Sequence, residues 1–204
     1  MDKELIIQNT ADHVKNVLYG ESTGHDWWHV YRVWNLAKHI TEIEKADSFI
    51  VELAVLLHDL ADYKFNDNDH DIGIKVSTKW LESQGVDSAY IEPILDCIRS
   101  CSFSSGHTPS TLEAQIVQDA DRLEAIGAIG IARAFATGTY FKQIFFNPDL
   151  PKENQKTTIG HFYEKLLLLK NGMNTEAGKE IAFERHRYTE EFLVRFYAEW
   201  AGEK

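Results

Sequence analysis

The sequence predicts an all-α protein, and three observations point there. Apolar residues recur at i, i+3, i+4 and i+7 in nearly every segment, which is the period of a helix with one buried face. No run shows the apolar/polar alternation of a strand. Turn-forming residues gather at a few places that separate the periodic runs.

An opening helix is expected from about Lys3 to Tyr19, stopped by Gly20. Ser22 to Asp26 reads as a turn in which Asp26 serves as N-cap, because its carboxylate can accept the unpaired amides of a first turn. The helix that follows carries Val30, Val33, Trp34, Ala37 and Ile40 on one face and ends near Lys45. Asp47 or Ser48 caps a strongly apolar segment, Leu53-Ala54-Val55-Leu56-Leu57-His58-Asp59-Leu60, which ends around Asp59. Tyr63 to Asp71 is a polar, acidic loop. Helices are expected over 72–84, stopped by Gly85, and over 88–100, followed by a Ser/Gly/Pro loop over 102–110. A single long helix is expected from Thr111 to about Thr137, with Glu113 close to the capping-box position. The stretch 138–154 reads as irregular because Pro148 and Pro151 interrupt it, and helices over 157–170 and 175–199 finish the chain.

No repeat or low-complexity linker divides the 204 residues, so one domain, 1–204, is expected, with a core large enough to hold without disulfides. Its motif-bearing part spans about 25–135, and the helices within 157–200 are expected to pack on it. Cys97 and Cys101 are four apart, which is helix spacing, and read as small buried residues. No basic region precedes an apolar run at the N-terminus, and no apolar run approaches a membrane span; a cytosolic protein is expected, with no membrane partner. The net charge of −11 argues against a nucleic-acid backbone as partner. A phosphorylated substrate would therefore need a metal, or local Lys and Arg, to draw it in.

Nine histidines are present, and His13, His39 and His186 read as surface or core side chains. His29, in the first turn of its helix, and His58-Asp59, ending the central apolar helix, are different. They put imidazoles and a carboxylate where buried polar groups are costly unless paired. Asp119 and Asp121 are likewise two carboxylates in an otherwise apolar helical face, between Ile116 and Val117 on one side and Leu123 and Ile126 on the other. Two imidazoles with two carboxylates suit one divalent ion, Mn²⁺, Fe²⁺, Ni²⁺, Mg²⁺ or Zn²⁺, and leave positions for water and substrate.

The order His29, His58-Asp59, Asp121 resembles the H…HD…D pattern of the HD-domain metal-dependent phosphohydrolases. The flanks extend the likeness: His25-Asp26-Trp27-Trp28-His29-Val30-Tyr31-Arg32-Val33, Leu56-Leu57-His58-Asp59, the run from Gln118 to Arg133, and His161-Phe162-Tyr163-Glu164-Lys165-Leu166-Leu167 are similar to a small bacterial subfamily that hydrolyses nucleotides. The resemblance implies His29, His58, Asp59 and Asp121 as metal ligands, with Mn²⁺ first among the ions. Asp121 is preferred to Asp119 because it directly precedes the basic Arg122, as in the family; a rotated helix would exchange the two. It also implies a metal-activated water attacking phosphorus, with a nucleoside triphosphate the first substrate to consider and a phosphomonoester next.

Asp62, three residues after Asp59, stands where related enzymes carry a proton-handling carboxylate. His25 is a candidate to contact the water or a phosphate, or to orient its loop. Lys64 and Arg122 are the first candidates to hold phosphates, with Arg133 and Lys165 behind them. Trp28, Phe65 and Phe103 could stack on a base. His70 and His107 leave open a dinuclear phosphodiesterase or a diiron oxygenase, and a non-catalytic nucleotide sensor is a further alternative. The acidic loop over 67–71 does not continue as an EF-hand, since Ile72 and Thr78 stand where Gly and Glu are needed. Phe192, Phe196 and Trp200 on the last helix suit either the core or a homodimer interface.

Overall fold

Among the residues that the computed structural model describes (1–20, 25–60, 72–101, 108–151 and 156–204), every regular element is a helix and none is a strand. None of these helices is long and apolar enough to cross a membrane. The chain divides into two compact units, Met1–Asp121 and Arg122–Lys204.

The first unit is assembled around its most apolar helix. Its elements are α1 (Lys3–Val17), α2 (Trp27–Glu44), α3 (Ser48–Leu57), α4 (Ile72–Ser83), α5 (Ser88–Cys101) and the greater part of α6 (Leu112–Glu124). In α3, Val51, Leu53, Ala54, Val55, Leu56 and Leu57 are all inaccessible to solvent. A helix this apolar has to be enclosed, and α1, α2 and α5 pack around this one. Polar bonds fix the contacts: Trp34 Nε1 donates to Glu52 at 2.8 Å between α2 and α3, and Trp80 Nε1 donates to Thr10 Oγ1 at 2.9 Å between α4 and α1. His13, a side chain of no expected role, stacks on Trp80 with ring centroids 3.8 Å apart. Cys97 and Cys101 are buried and unbridged.

The caps follow the residues expected for them. Asp2, Asp26 and Asp47 have extended backbones and accept from amides of the first turns of α1, α2 and α3. Glu113 does not close a capping box on its own helix. Its carboxylate accepts the Asp47 backbone N–H at 3.1 Å and so ties the start of α6 to the start of α3.

The second unit contains the end of α6, then α7 (Gly127–Tyr140), α8 (Thr158–Glu164), a 3₁₀ helix (Leu166–Gly172) and α9 (Glu176–Trp200). The expected single helix over 111–137 is thus two. It breaks at Ile126 and Gly127, where Ile126 is extended (φ −127°, ψ 163°) and Gly127 adopts φ +79°, a conformation open to glycine. The break is held from α9. Arg185 Nη1 donates to the Leu123 carbonyl at 2.7 Å, the Gly127 N–H donates to Thr189 Oγ1 at 2.9 Å, and the Arg185 stem lies where a Gly127 side chain would go. The helix expected over 157–170 also changes form, at Lys165 (φ −138°, ψ −58°). Phe135 of α7 meets Phe145, Phe162, Phe192 and Phe196 in an aromatic cluster, so Phe192 and Phe196 are packed within this unit, while Trp200 is half exposed.

Candidate metal centre

Four side chains of the first unit meet at the ends of three helices. The Asp26 carboxylate caps α2 by accepting the His29 backbone N–H at 2.9 Å, which places His29 in the first turn with its ring almost wholly buried. The chain leaves α3 at Leu57, and His58 and Asp59 form the turn that follows. His58 Nδ1 lies 2.6 Å from the Val55 carbonyl. A carbonyl can only accept, so Nδ1 carries a proton, and the neutral ring therefore presents a lone pair at Nε2. Buried, and with no hydrogen-bond partner among the described residues, that lone pair faces the cluster.

Each of the two histidine Nε2 atoms lies close to both carboxylates. His29 Nε2 is 3.2 Å from Asp59 Oδ2 and 3.5 Å from Asp121 Oδ1, and His58 Nε2 is 3.5 Å and 3.8 Å from the same two oxygens. Ligands about 2.1 Å from one divalent ion are separated by ~3.0 Å at octahedral and ~3.4 Å at tetrahedral angles. The donor set fits such an ion: His29, His58 and Asp121 form one group able to hold a metal, and His25, His29 and Asp59 a second that shares His29. Asp121, not Asp119, faces the histidines. Two residues apart on a helix means about 200° of rotation, and the Asp119 carboxylate, fully buried, is in neither group.

The electrostatics agree. Burial alone would raise the Asp59 carboxyl, yet the His58 charge and the hydrogen bonds of His25 and His29 hold it well below the usual carboxylate range. For Asp121 burial is again opposed, by the His29 hydrogen bond and by the charges of His58 and His29, and the carboxyl comes down to about 2. Both are therefore anionic at neutral pH, as metal-ligating carboxylates must be.

His25 lies just before the Asp26 cap, outside α2, and its Nδ1 is 2.7 Å from Asp59 Oδ2. Asp62, Lys64, Phe65, His70, Phe103 and His107 lie outside the described residues. Trp28 is exposed, with its ring edge-on to Tyr31 at 5.9 Å. In the second unit, Arg122 Nη1 donates to the Gly172 carbonyl at 2.6 Å, and Arg133 pairs with the buried Glu124. The Val55 carbonyl is a functional group that sequence reasoning passes over. Its signal is the position three residues before a histidine at a helix C-terminus.

Comparison with known proteins bears on this arrangement. The HD-domain family model matches residues 27–126, a span that holds all four converging side chains. The protein YpgQ of Bacillus subtilis (strain 168) is 39% identical over 188 residues, covering 88% of this chain and 86% of YpgQ. This chain belongs to the HD-domain family. Its backbone is similar to the crystal structure of an HD-superfamily hydrolase from Bacillus thuringiensis (TM-score 0.82, 40% identity, 98% of each chain). It is equally similar to the crystal structure of Bacillus subtilis YpgQ in complex with ADP (TM-score 0.83, 35% identity, 98% of this chain and 97% of that one). The fold is thus that of HD-superfamily hydrolases, and the His/Asp cluster sits within the HD-domain span.

Proposed function

We propose that this protein is a metal-dependent phosphohydrolase that acts on a nucleotide, with one divalent ion, Mn²⁺ first among the candidates, held by His29, His58, Asp59 and Asp121. The observation that carries this reading is that His29 Nε2 and His58 Nε2 each lie 3.2–3.8 Å from both Asp59 Oδ2 and Asp121 Oδ1. An ion bound there supplies Lewis acidity for a phosphoryl oxygen and for a water acidified toward neutral pH. The chain's own residues do the rest. Asp59 and Asp121 balance the charge of a divalent ion, and the Val55 carbonyl keeps the His58 ring turned toward it. Asp62 handles the proton in this reading, and Lys64 and Arg122 hold phosphate oxygens. Arg122 would do so beside its bond to the Gly172 carbonyl, and Arg133 would have to leave Glu124.

A nucleotide is favoured because a relative of the same fold was crystallised with ADP, and because the sequence resembles nucleotide-hydrolysing HD proteins. A nucleoside triphosphate split to monophosphate and pyrophosphate is the first reaction to test, and phosphomonoester cleavage the second. The test is ³¹P NMR on a panel of nucleoside mono-, di- and triphosphates and cyclic nucleotides with the Mn²⁺-loaded protein. Phosphate or pyrophosphate appearing with the wild type and absent with Asp121→Ala is the expected result. A silent panel with metal bound refutes the nucleotide assignment.

A further inference from the structure

His25 is not among the four proposed ligands, yet its contact with Asp59 is shorter than any His–Asp distance among those four. We infer that His25 is a positioning residue of the centre: its Nδ1–H donates to Asp59 Oδ2 and fixes the rotation of that carboxylate, so that the oxygen it holds faces His29 and His58. The inference rests on the metal centre proposed above and concerns how that centre is preorganised.

Distance separates this role from direct ligation. Two donors of one ion stand ~3.0 Å or more apart, whereas His25 Nδ1 and Asp59 Oδ2 are 2.7 Å apart, a hydrogen-bond distance for a charge-assisted N–H···O pair. The oxygen concerned is also the one 3.2 Å from His29 Nε2 and 3.5 Å from His58 Nε2. A carboxylate turns easily about its terminal torsion, so Asp59 could otherwise turn its oxygens away from the two rings. The hydrogen bond restricts that freedom, because Oδ2 is held on His25 Nδ1 while it faces the two buried rings.

Chain placement adds a second constraint. His25 and Asp26 are consecutive, and Asp26 caps α2 through the His29 amide. One dipeptide thus sets the start of the helix bearing His29 and the orientation of the carboxylate from the turn after α3. The His25 and His29 rings meet edge-to-face with centroids 5.6 Å apart, which limits the swing of His25 itself. Outer groups of this kind, when removed, weaken metal binding by about 10–100-fold.

The test is isothermal titration of Mn²⁺ into the full-length, metal-free wild type and into His25→Ala, His25→Gln and His25→Asn. An asparagine amide can take the place of Nδ1–H, whereas a glutamine amide reaches farther, toward the Nε2 position. The dissociation constant is expected to rise by about 10–100-fold in His25→Ala and His25→Gln and to return to within about fivefold of wild type in His25→Asn. Both amide variants conserve polarity and size, so the comparison stands even where His25→Ala does not fold. A His25→Gln constant within twofold of wild type overturns the inference, as does an Asn variant as weak as the Gln variant. Intact Mn²⁺ affinity with lost hydrolysis overturns it as well, by moving His25 to the substrate. A wild type that takes up no divalent ion refutes the metal centre itself, a different failure that the same titration identifies.

Discussion

Gly130→Ala opposes helix propensity to packing, and the structure decides the sign. Gly130 is the fourth residue of α7, where alanine is favoured over glycine by at most the roughly 1 kcal/mol of a helix interior. A Cβ built at Gly130, however, falls 2.3 Å from both the carbonyl carbon and the oxygen of Ala125. Ordinary contact is more than 1 Å longer, and the opposing atoms are backbone, which has no rotamer to yield. Overpacking costs about 1–3 kcal/mol, and a clash against backbone belongs at the upper end, ~3 kcal/mol. The net expectation is a loss of about 2 kcal/mol. For a chain of this size, where 1 kcal/mol moves Tm by about 2–4 °C, that is a fall of ~4–8 °C. Thermal and urea unfolding of the metal-free protein would measure it. Ala132→Gly, at an exposed position of α7, calibrates the propensity scale in the same helix and should cost about 1 kcal/mol. A Gly130→Ala protein with a raised Tm would refute the reasoning, because propensity would then have won and α6 and α7 would tolerate a wider junction.

Two further outcomes follow from burial and charge. Burial, reinforced by the Glu113 and Asp96 charges, pushes the Cys97 thiol up to about 12. Iodoacetamide at pH 8 should therefore leave Cys97 unmodified in the native protein and alkylate it in urea, as read by peptide mass spectrometry; modification of the native protein would contradict the burial. The Asp121 carboxyl, at about 2 in the metal-free fold, lies below its unfolded value of ~3.9. The unfolded chain then binds the proton more readily, so the stability this group contributes is complete above pH ~4 and lost as the pH falls toward 2. Urea unfolding in EDTA across pH 2–7 should show a shallower acid loss for Asp121→Asn than for wild type, and identical slopes would count against the pairing with His29 and His58.

The all-α fold and the members of the cluster were legible in the sequence because both are written locally. The 3.6-residue period marks the helices, aspartates mark their starts, and imidazoles and carboxylates amid apolar faces mark the site. The break between α6 and α7 was not legible. A glycine inside a helical pattern is usually tolerated, and what makes Gly127 a corner comes from Arg185 and Thr189, far along the chain. The same break hid the role of Arg133. In one continuous helix, residues nine apart sit ~180° apart around the axis, so Glu124 and Arg133 would face opposite ways; the corner brings them together. His25 was legible as a neighbour of His29 through its i, i+4 spacing, yet Asp26 starts the helix after it, and its partner is Asp59 from another element.

The Val55–His58 hydrogen bond has a thermodynamic consequence. The last carbonyls of any helix lack partners within it, and here the His58 ring takes up that of Val55, so the side chain that faces the candidate site also finishes the helix on which the first unit packs. Fraying of α3 and loss of the His58 orientation are then coupled. By reciprocity, whatever favours the oriented ring at Nε2 favours the closed end of α3 by the same free energy. Occupancy of the candidate site and closure of the α3 C-terminus are in this way coupled through one side chain.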